Sequence, residues 1–378
     1  MGARDLNAPS DKDLESLVTA VRWLADDASL RSAIASSCGL STPMVEWALR
    51  TTVETLNADV LRQMREAAGL DGWSADNHTA LCAVFLSGNV FTACVRAIVI
   101  PLALGVPVIA KASARDDVLA HALATRLPEP FRHACRVLTF GRDDGDAARA
   151  MTERADMVHA YGSNSTLGTI RELVEPSTPF VPHGHGLGVA VLRHDPTDAE
   201  LAERCAELAL DIAAYDQRGC LSPHELWVWD ADPERVAQVL SDALASIESE
   251  LPRGPQSADS AAAHRRWKDV ALSLGTLREG RTHSVAVVDA PLDTVAGRHV
   301  QVRRVDDARA EAMLTTWGTA LKALGYAPLP GNPAILPVAI PRGVAPRCSA
   351  WGTMQTPPFD ALQDGRDPWF GYVLRAAR

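Results

Sequence analysis

With 378 residues, 47% of them hydrophobic, the chain can bury a large core and has room for two domains of ordinary size. Its 37 basic residues stand against 47 acidic ones, a net charge of −10 with no basic block, which excludes the electrostatic footprint of a nucleic-acid binder. The longest apolar run, Ala97 to Ala110, is shorter than a bilayer span and carries Pro101, Gly105 and Pro107, so no transmembrane segment is expected.

The first residues, "MGARDLNAPSDKDLES", hold acids and no apolar stretch, which argues against a secretory signal and for a cytoplasmic protein. From Lys12 to Leu70 apolar residues recur at helical spacing, giving a helical amino-terminal region over residues 1–80. From Leu81 to Arg193 short apolar runs alternate with amphipathic segments. The runs "LCAVFLSG", "VPVIAKAS", "RVLTFG", "DMVHAYG" and "PFVPHG" predict strands, and helices fit Val90–Leu104, Asp116–Leu127, Asp143–Ala155 and Ser165–Val174. Such alternation means an α/β fold, a parallel sheet doubly wound by helices, whose ligands sit beyond the carboxyl ends of the strands. Those ends are the loops at Ser87–Asn89, Lys111–Arg115, Gly162–Ser165 and His183–Gly186. Further on, "DAELAERCAELALDIAAYDQ" predicts a helix, "HELWVW" a strand and Pro233–Glu250 another helix, so a second α/β domain starts in this region. Residues 251–265, "LPRGPQSADSAAAHR", read as an exposed loop or linker.

Seven cysteines lie at 38, 82, 94, 135, 205, 220 and 348 with no CxxC pair, which argues against a disulfide framework and a structural zinc site. Cys82, Cys94, Cys135 and Cys205 sit inside apolar segments as small buried hydrophobes. Cys220 differs: in "DQRGCLSP" it follows a glycine between a helix end and a strand start, with Arg218 two residues before it, a setting that favours a reachable thiolate. A nucleophilic cysteine needs a proton partner, and "VPHGHGLG" offers His183 and His185 with flanking glycines that would let backbone approach a ligand. With no third well-spaced ligand, no metal is expected there. Asn89 is either a helix N-cap or an amide donor for an oxyanion. Gly162, Ser163, Asn164 and Ser165 open a helix and suit either a phosphate or ordinary capping. Trp227 and Trp229, after Cys220, would pack the core or line an apolar channel.

Lysine is rare: Lys12, Lys111, Lys268 and Lys322 are the only four among 37 basic residues. Together the segments resemble the aldehyde dehydrogenase superfamily, and most closely its fatty acyl-CoA reductase (LuxC) branch. Asn89 is followed at 22 residues by Lys111, at 74 by Ser163, at 96 by His185 and at 131 by Cys220, an order and spacing close to that superfamily's. The stretches "FVPHGHGLGVAVL", "DIAAYDQRGCLSP", "GRHVQVRRV" and "WGTMQTPPFDALQDGRDP" are similar to the reductases' own signatures, so the likeness runs over roughly residues 80–378.

The resemblance implies an aldehyde dehydrogenase-like fold. Residues 81–185 would bind a nicotinamide cofactor, 186–345 would form the catalytic domain, and 346–378 would return to the cofactor domain. It implies reduction of a fatty acyl thioester, on coenzyme A or a carrier protein, to the aldehyde through an acyl-Cys220 intermediate. His185 or His183 would move protons and Asn89 would hold the oxyanion. Lys111 would reach the adenosine ribose, Ser113 and Arg115 would favour NADPH while leaving NADH possible, and Gly162, Ser163 and Ser165 would face the pyrophosphate. A homo-oligomer is expected. Rival readings are aldehyde oxidation on the same scaffold and acyl transfer without hydride chemistry.

Overall fold

The computed structural model describes residues 8–69, 81–329, 331 and 336–372. The predicted regions also cover residues 1–7, 70–80, 330, 332–335 and 373–378, which lie outside the described residues. The chain forms two compact units, one of residues 1–185 with 358–378, the other of residues 186–357.

The first unit opens with four helices, α1 (Asp11–Asp26), α2 (Ala28–Cys38), α3 (Thr42–Glu54) and α4 (Ala58–Ala67). Ser10 and Asp13 start α1 with a reciprocal capping box, and Asp27, Ser41 and Asn57 cap the next three, so each helix start written as Ser, Asp or Asn is used as one. Next come β1 (Cys82–Phe85), α5 (Ala93–Ala103), β2 (Val108–Ala112), α6 (Val118–Arg126), α7 (Phe131–Ala134), β3 (Cys135–Thr139), α8 (Gly145–Thr152), β4 (Met157–Tyr161), α9 (Asn164–Leu173) and β5 (Phe180–His183). All five strands pair in parallel in the order β3-β2-β1-β4-β5. The order reverses between β1 and β4, so the loops after these strands flank the crevice where such sheets bind ligands. One face of the sheet sends Ala83, Phe85, Val158 and Ala160 against Met151, Leu167 and Ile170 of α8 and α9. Helix α1 packs against α3, α4, α5 and α6.

The second unit contains β6 (Leu187–Leu192), α10 (Asp198–Ala213), β7 (Pro223–Val228), α11 (Pro233–Ile247), α12 (Ala258–Leu274), β8 (Gly275–Glu279), β9 (Ser284–Val288), β10 (His299–Arg304), α13 (Asp307–Trp317), β11 (Leu321–Tyr326) and β12 (Arg347–Ala350). Its sheet runs β12-β11-β6-β7-β10-β9-β8, parallel except for the β8–β9 hairpin. Strand alternation splits the core cleanly. Ala190, Leu192, Leu226 and Val228 face α10 and α11, while Val189, Val191, Trp227 and Trp229 face α13. Both tryptophans are therefore core residues rather than lining for a channel. Trp227 is fully buried and donates its indole N–H to Glu225 at 2.7 Å, and Glu225 in turn pairs with buried Arg303 at 3.0 Å.

Two predicted elements differ. Residues 258–265, read as linker, form the first half of α12, which Ser257 caps. The helix ending at Gln217 instead stops at Ala213, and Tyr215, Asp216 and Gln217 turn to left-handed φ values of 53°, 51° and 61°.

The second unit also buries a cluster of uncharged histidines. Burial pushes His299 down to about 2 and lowers His264 and His283, and the His264 and His299 rings lie 4.0 Å apart. Neither ring nitrogen of His299 has a hydrogen-bond partner among the described residues. In the unfolded chain these rings take protons near pH 6.5; in the fold His299 takes one only near pH 2, and His264 and His283 take theirs below their ordinary value. The unfolded state therefore binds more protons below that pH, and stability falls as pH drops below about 6.5. Each fully shifted ring contributes a slope of up to about 1.4 kcal/mol per pH unit. Urea unfolding from pH 7 to pH 4.5 should show this fall, and His299→Leu should flatten it by roughly one proton; an unchanged slope would remove His299 from the account.

Candidate active site

On the first unit, the predicted loops cluster at the carboxyl ends of β1, β2, β4 and β5. Asn89 is exposed in the bend after β1. It does not cap α5, whose N-cap position is Thr92, so its side-chain amide is not spent on the helix. The bend lies close to the loop after β2: a Cβ on Gly88 would sit 2.6 Å from Ser113 Oγ and 3.1 Å from Ser113 Cβ, so a larger residue there would push the Ser113 side chain aside. Lys111 is half-buried near the end of β2, its Nζ 5.5 Å from the centre of the Phe140 ring. Burial, and then the nearby Arg142 charge, lower its pKa. Ser113 accepts the Arg115 N–H at 3.4 Å, and Arg115 is exposed.

After β4, Ser163 caps α9 and accepts the Thr166 N–H at 3.3 Å, while Ser165 Oγ lies 2.9 Å from Ser163 Oγ. No acidic residue occupies the first turn of α9, so its exposed amino end keeps its partial positive charge. The Gly162 N–H donates to the His183 carbonyl at 3.2 Å, joining the β4 and β5 loops.

The two histidines of "PHGHG" part company here. His183 is held on all sides: its Nε2 lies 3.2 Å from His159 Nδ1, its Nδ1 lies 2.9 Å from Asp364 Oδ2, and its ring stacks on Tyr161 at 4.3 Å. Burial first, then His183 and Arg366, keep His159 well below its ordinary pKa and so uncharged. Asp364 reaches His183 from a tight turn in which Asp364 and Gly365 take φ values of 53° and 72°, closed by paired hydrogen bonds between Gln363 and Arg366. Neither Asp364 nor His159 stood out in the sequence, although the Asp-Gly pair is a turn signal. His185, two residues on, is exposed.

The glycines after His185 serve the protein rather than a ligand. A Cβ on Gly186 would fall 2.1 Å from Lys322 Cγ and 2.7 Å from the Ala320 carbonyl. One on Gly188 would fall 2.7 Å from the Leu221 carbonyl, in the turn that carries Cys220.

Cys220 lies on the second unit, exposed, in the turn that leads into β7. Ser222 N–H closes that turn onto the Gly219 carbonyl at 3.1 Å, and the Gly188 N–H ties Ser222 to β6 at 3.0 Å. Immediately upstream stand the three left-handed residues, each costing on the order of 1–2 kcal/mol for a side chain larger than glycine. Such strain persists only where packing over-determines it, and Tyr215, Asp216 and Gln217 are all buried. By contrast, burial raises the thiols of Cys135 and Cys205 to about 12 and pushes Cys82 and Cys94 higher still, which leaves them inert. Among the described residues no group of three His, Cys, Asp or Glu side chains is placed to hold a metal, and no helix is long and apolar enough to cross a membrane.

Comparison with known proteins bears on the fold and the family. The long-chain acyl-protein thioester reductase of Aliivibrio fischeri is 24% identical over 235 residues, covering 59% of this chain and 48% of that protein, so the chain spans about half the length of that relative. Among solved structures, an oxidoreductase from Marinobacter aquaeolei superposes with a TM-score of 0.71 at 14% identity, covering 98% of this chain and 86% of that one. An NAD-dependent aldehyde dehydrogenase from Sinorhizobium meliloti gives 0.65 at 15% identity, covering 93% and 75%. A glyceraldehyde-3-phosphate dehydrogenase from Methanocaldococcus jannaschii, solved with NADP, gives 0.65 at 12% identity, covering 85% and 76%. At these identities the structures establish the fold, which is that of the aldehyde dehydrogenases. A model of the acyl-CoA reductase (LuxC) family matches residues 18–365, nearly the whole chain, and the chain belongs to that family.

Proposed function

We propose that this chain reduces a fatty acyl thioester to the aldehyde through an acyl-cysteine on Cys220, drawing on NADPH. The observation that carries the reading is Cys220 itself, an exposed thiol just after the strained segment 215–217 in a chain whose core cysteines are buried and inert.

Cys220 attacks the thioester carbonyl carbon as a thiolate, and the oxyanion is held by the Asn89 amide and the Cys220 backbone N–H. The bond from carbon to the carrier sulfur breaks, and His185 supplies the proton that lets the carrier leave as a thiol. A nicotinamide cofactor, when bound, supplies the hydride that reduces the acyl carbon. The Cys220 thiolate is then expelled as the carbonyl re-forms, which releases aldehyde and restores the nucleophile. His183 is left out of this scheme, since both its ring nitrogens are occupied.

The first unit suits such a cofactor. The acid-free amino end of α9 can accept a pyrophosphate, with Gly162, Ser163 and Ser165 around it. Lys111, a compact cation near the end of β2, suits ribose hydroxyls, and exposed Arg115 beside Ser113 suits a 2′-phosphate. Coenzyme A and a carrier protein are both candidate thiol carriers, and the Aliivibrio relative, named for acyl-protein, supports the second. Titration of tryptophan fluorescence tests the nucleotide half. Lys111→Met should weaken NADPH and NADH alike by about tenfold, whereas Arg115→Ala should weaken only NADPH by a similar factor. Equal loss for both nucleotides in Arg115→Ala would contradict the NADPH assignment.

A further inference from the structure

We infer that Asp216 is a positioning residue for Cys220, clamped by Arg298 so that the left-handed turn at 215–217 presents the nucleophile in one fixed geometry. The inference rests on the reading of Cys220 given above.

The clamp is built from two left-handed segments that lock into each other. Asp216, 3% exposed, accepts Arg298 Nη2 at 3.0 Å and the Gly254 N–H at 3.0 Å, and its carbonyl accepts the Gly297 N–H at 2.8 Å. Arg298 is fully buried and is itself left-handed, at φ 68° beside Gly297 at φ 97°. Its Nη1 donates to Glu248 at 2.8 Å, and the same Nη2 also donates to the Leu251 carbonyl at 2.7 Å. Gln217, 1% exposed, completes the lock: its amide donates to the Pro223 and His299 carbonyls at 2.8 and 3.0 Å and accepts the His299 N–H at 2.8 Å. Both ends of the segment that carries Cys220, Gln217 and Pro223, are thereby tied to β10.

A buried ion pair of this kind is a weak source of stability, because desolvating two charges offsets most of their attraction. What it supplies is register. The same carboxylate also holds Arg218 at 3.6 Å, so the one cation two residues from the thiol is fixed by the group that fixes the turn. A thiol whose attack angle and nearby charge depend on one carboxylate loses rate, rather than affinity, when that carboxylate is removed.

The test uses the full chain in a Cys348→Ser background, so that one exposed cysteine remains among those described, with thermal melts to establish folding. Asp216→Gly keeps access to the left-handed region but removes the clamp; Asp216→Asn keeps shape and an acceptor but removes the charge. In Asp216→Gly, kcat for palmitoyl-CoA should fall on the order of 100-fold with KM within about threefold. The pH profile of Cys220 alkylation by iodoacetamide should move to lower pH, because removing the carboxylate leaves the Arg218 charge unneutralised two residues from the thiol. Asp216→Asn should lie between this variant and the parent, and decides the matter if Asp216→Gly does not fold. A folded variant with the parent's kcat and alkylation profile overturns the clamp. If the parent itself does not turn over palmitoyl-CoA, the proposed function fails on its own account, and the alkylation profile alone decides: shifted in the variants, it supports the clamp; unshifted, it refutes it.

Discussion

Replacing Cys220 with alanine is expected to lower acyl-thioester-dependent NADPH oxidation by at least ~10³-fold while leaving nucleotide binding within about twofold. The size of the loss follows from the lack of a substitute. Cys82, Cys94, Cys135 and Cys205 are buried, and burial raises their thiol pKa values far above neutrality. Cys348 is exposed as a residue, yet partial burial of its sulfur raises its pKa too, and it sits on β12 rather than in a turn. Nucleotide binding should survive because Lys111, Ser113, Arg115 and the start of α9 belong to the other unit. Steady-state rates with palmitoyl-CoA, alongside fluorescence titration of NADPH, read both quantities. A variant that keeps more than about a tenth of the parent rate would show that the reaction does not pass through this sulfur.

The second large effect separates the histidines. His185→Ala should cost about 10²-fold or more in kcat, the usual range for a lost proton carrier, with the melting temperature unchanged because the side chain is exposed. His183→Gln should do the reverse. Its ring is wedged between His159, Tyr161 and Asp364, and removing it leaves His159 and Asp364 short of a partner in a largely buried setting. The expected result is a loss of stability of about 1–3 kcal/mol with kcat within about fivefold of the parent. If His183→Gln folds normally and loses as much kcat as His185→Ala, the proton role belongs to His183.

Much of this molecule can be read from its residues, for a physical reason. Strands such as "CAVF", "VIAKA" and "MVHAY" are mostly apolar on both faces because a parallel sheet covered on both faces buries most of their side chains, and the first five predicted strands lie where expected. Helix starts were legible where Ser, Asp or Asn caps them. Long-range ties were not. Nothing local in "IAAYDQRGC" says that the helix must stop at Ala213, since its apolar spacing continues; the stop is imposed by Arg298 and His299, 82 residues away from their partners. Likewise His183 looked as mobile as His185 because its partner, Asp364, lies 181 residues further on. The α12 start was missed for the opposite reason. "ADSAAAH" holds four alanines behind a Ser257 cap, but the Pro and Gly just before it are loop signals. The residue types of the candidate site can be picked out in sequence, whereas the groups that hold them, such as Asp364 and Arg298, are visible only in three dimensions.

The central claim is a covalent acyl group on one sulfur, and the most direct measurement is the mass of the protein after brief exposure to palmitoyl-CoA without reductant. The account predicts one added palmitoyl group, mapped to the peptide containing Cys220, absent from Cys220→Ala, and discharged as free aldehyde when NADPH is added. An adduct on any other residue, or one that NADPH leaves in place, would contradict it.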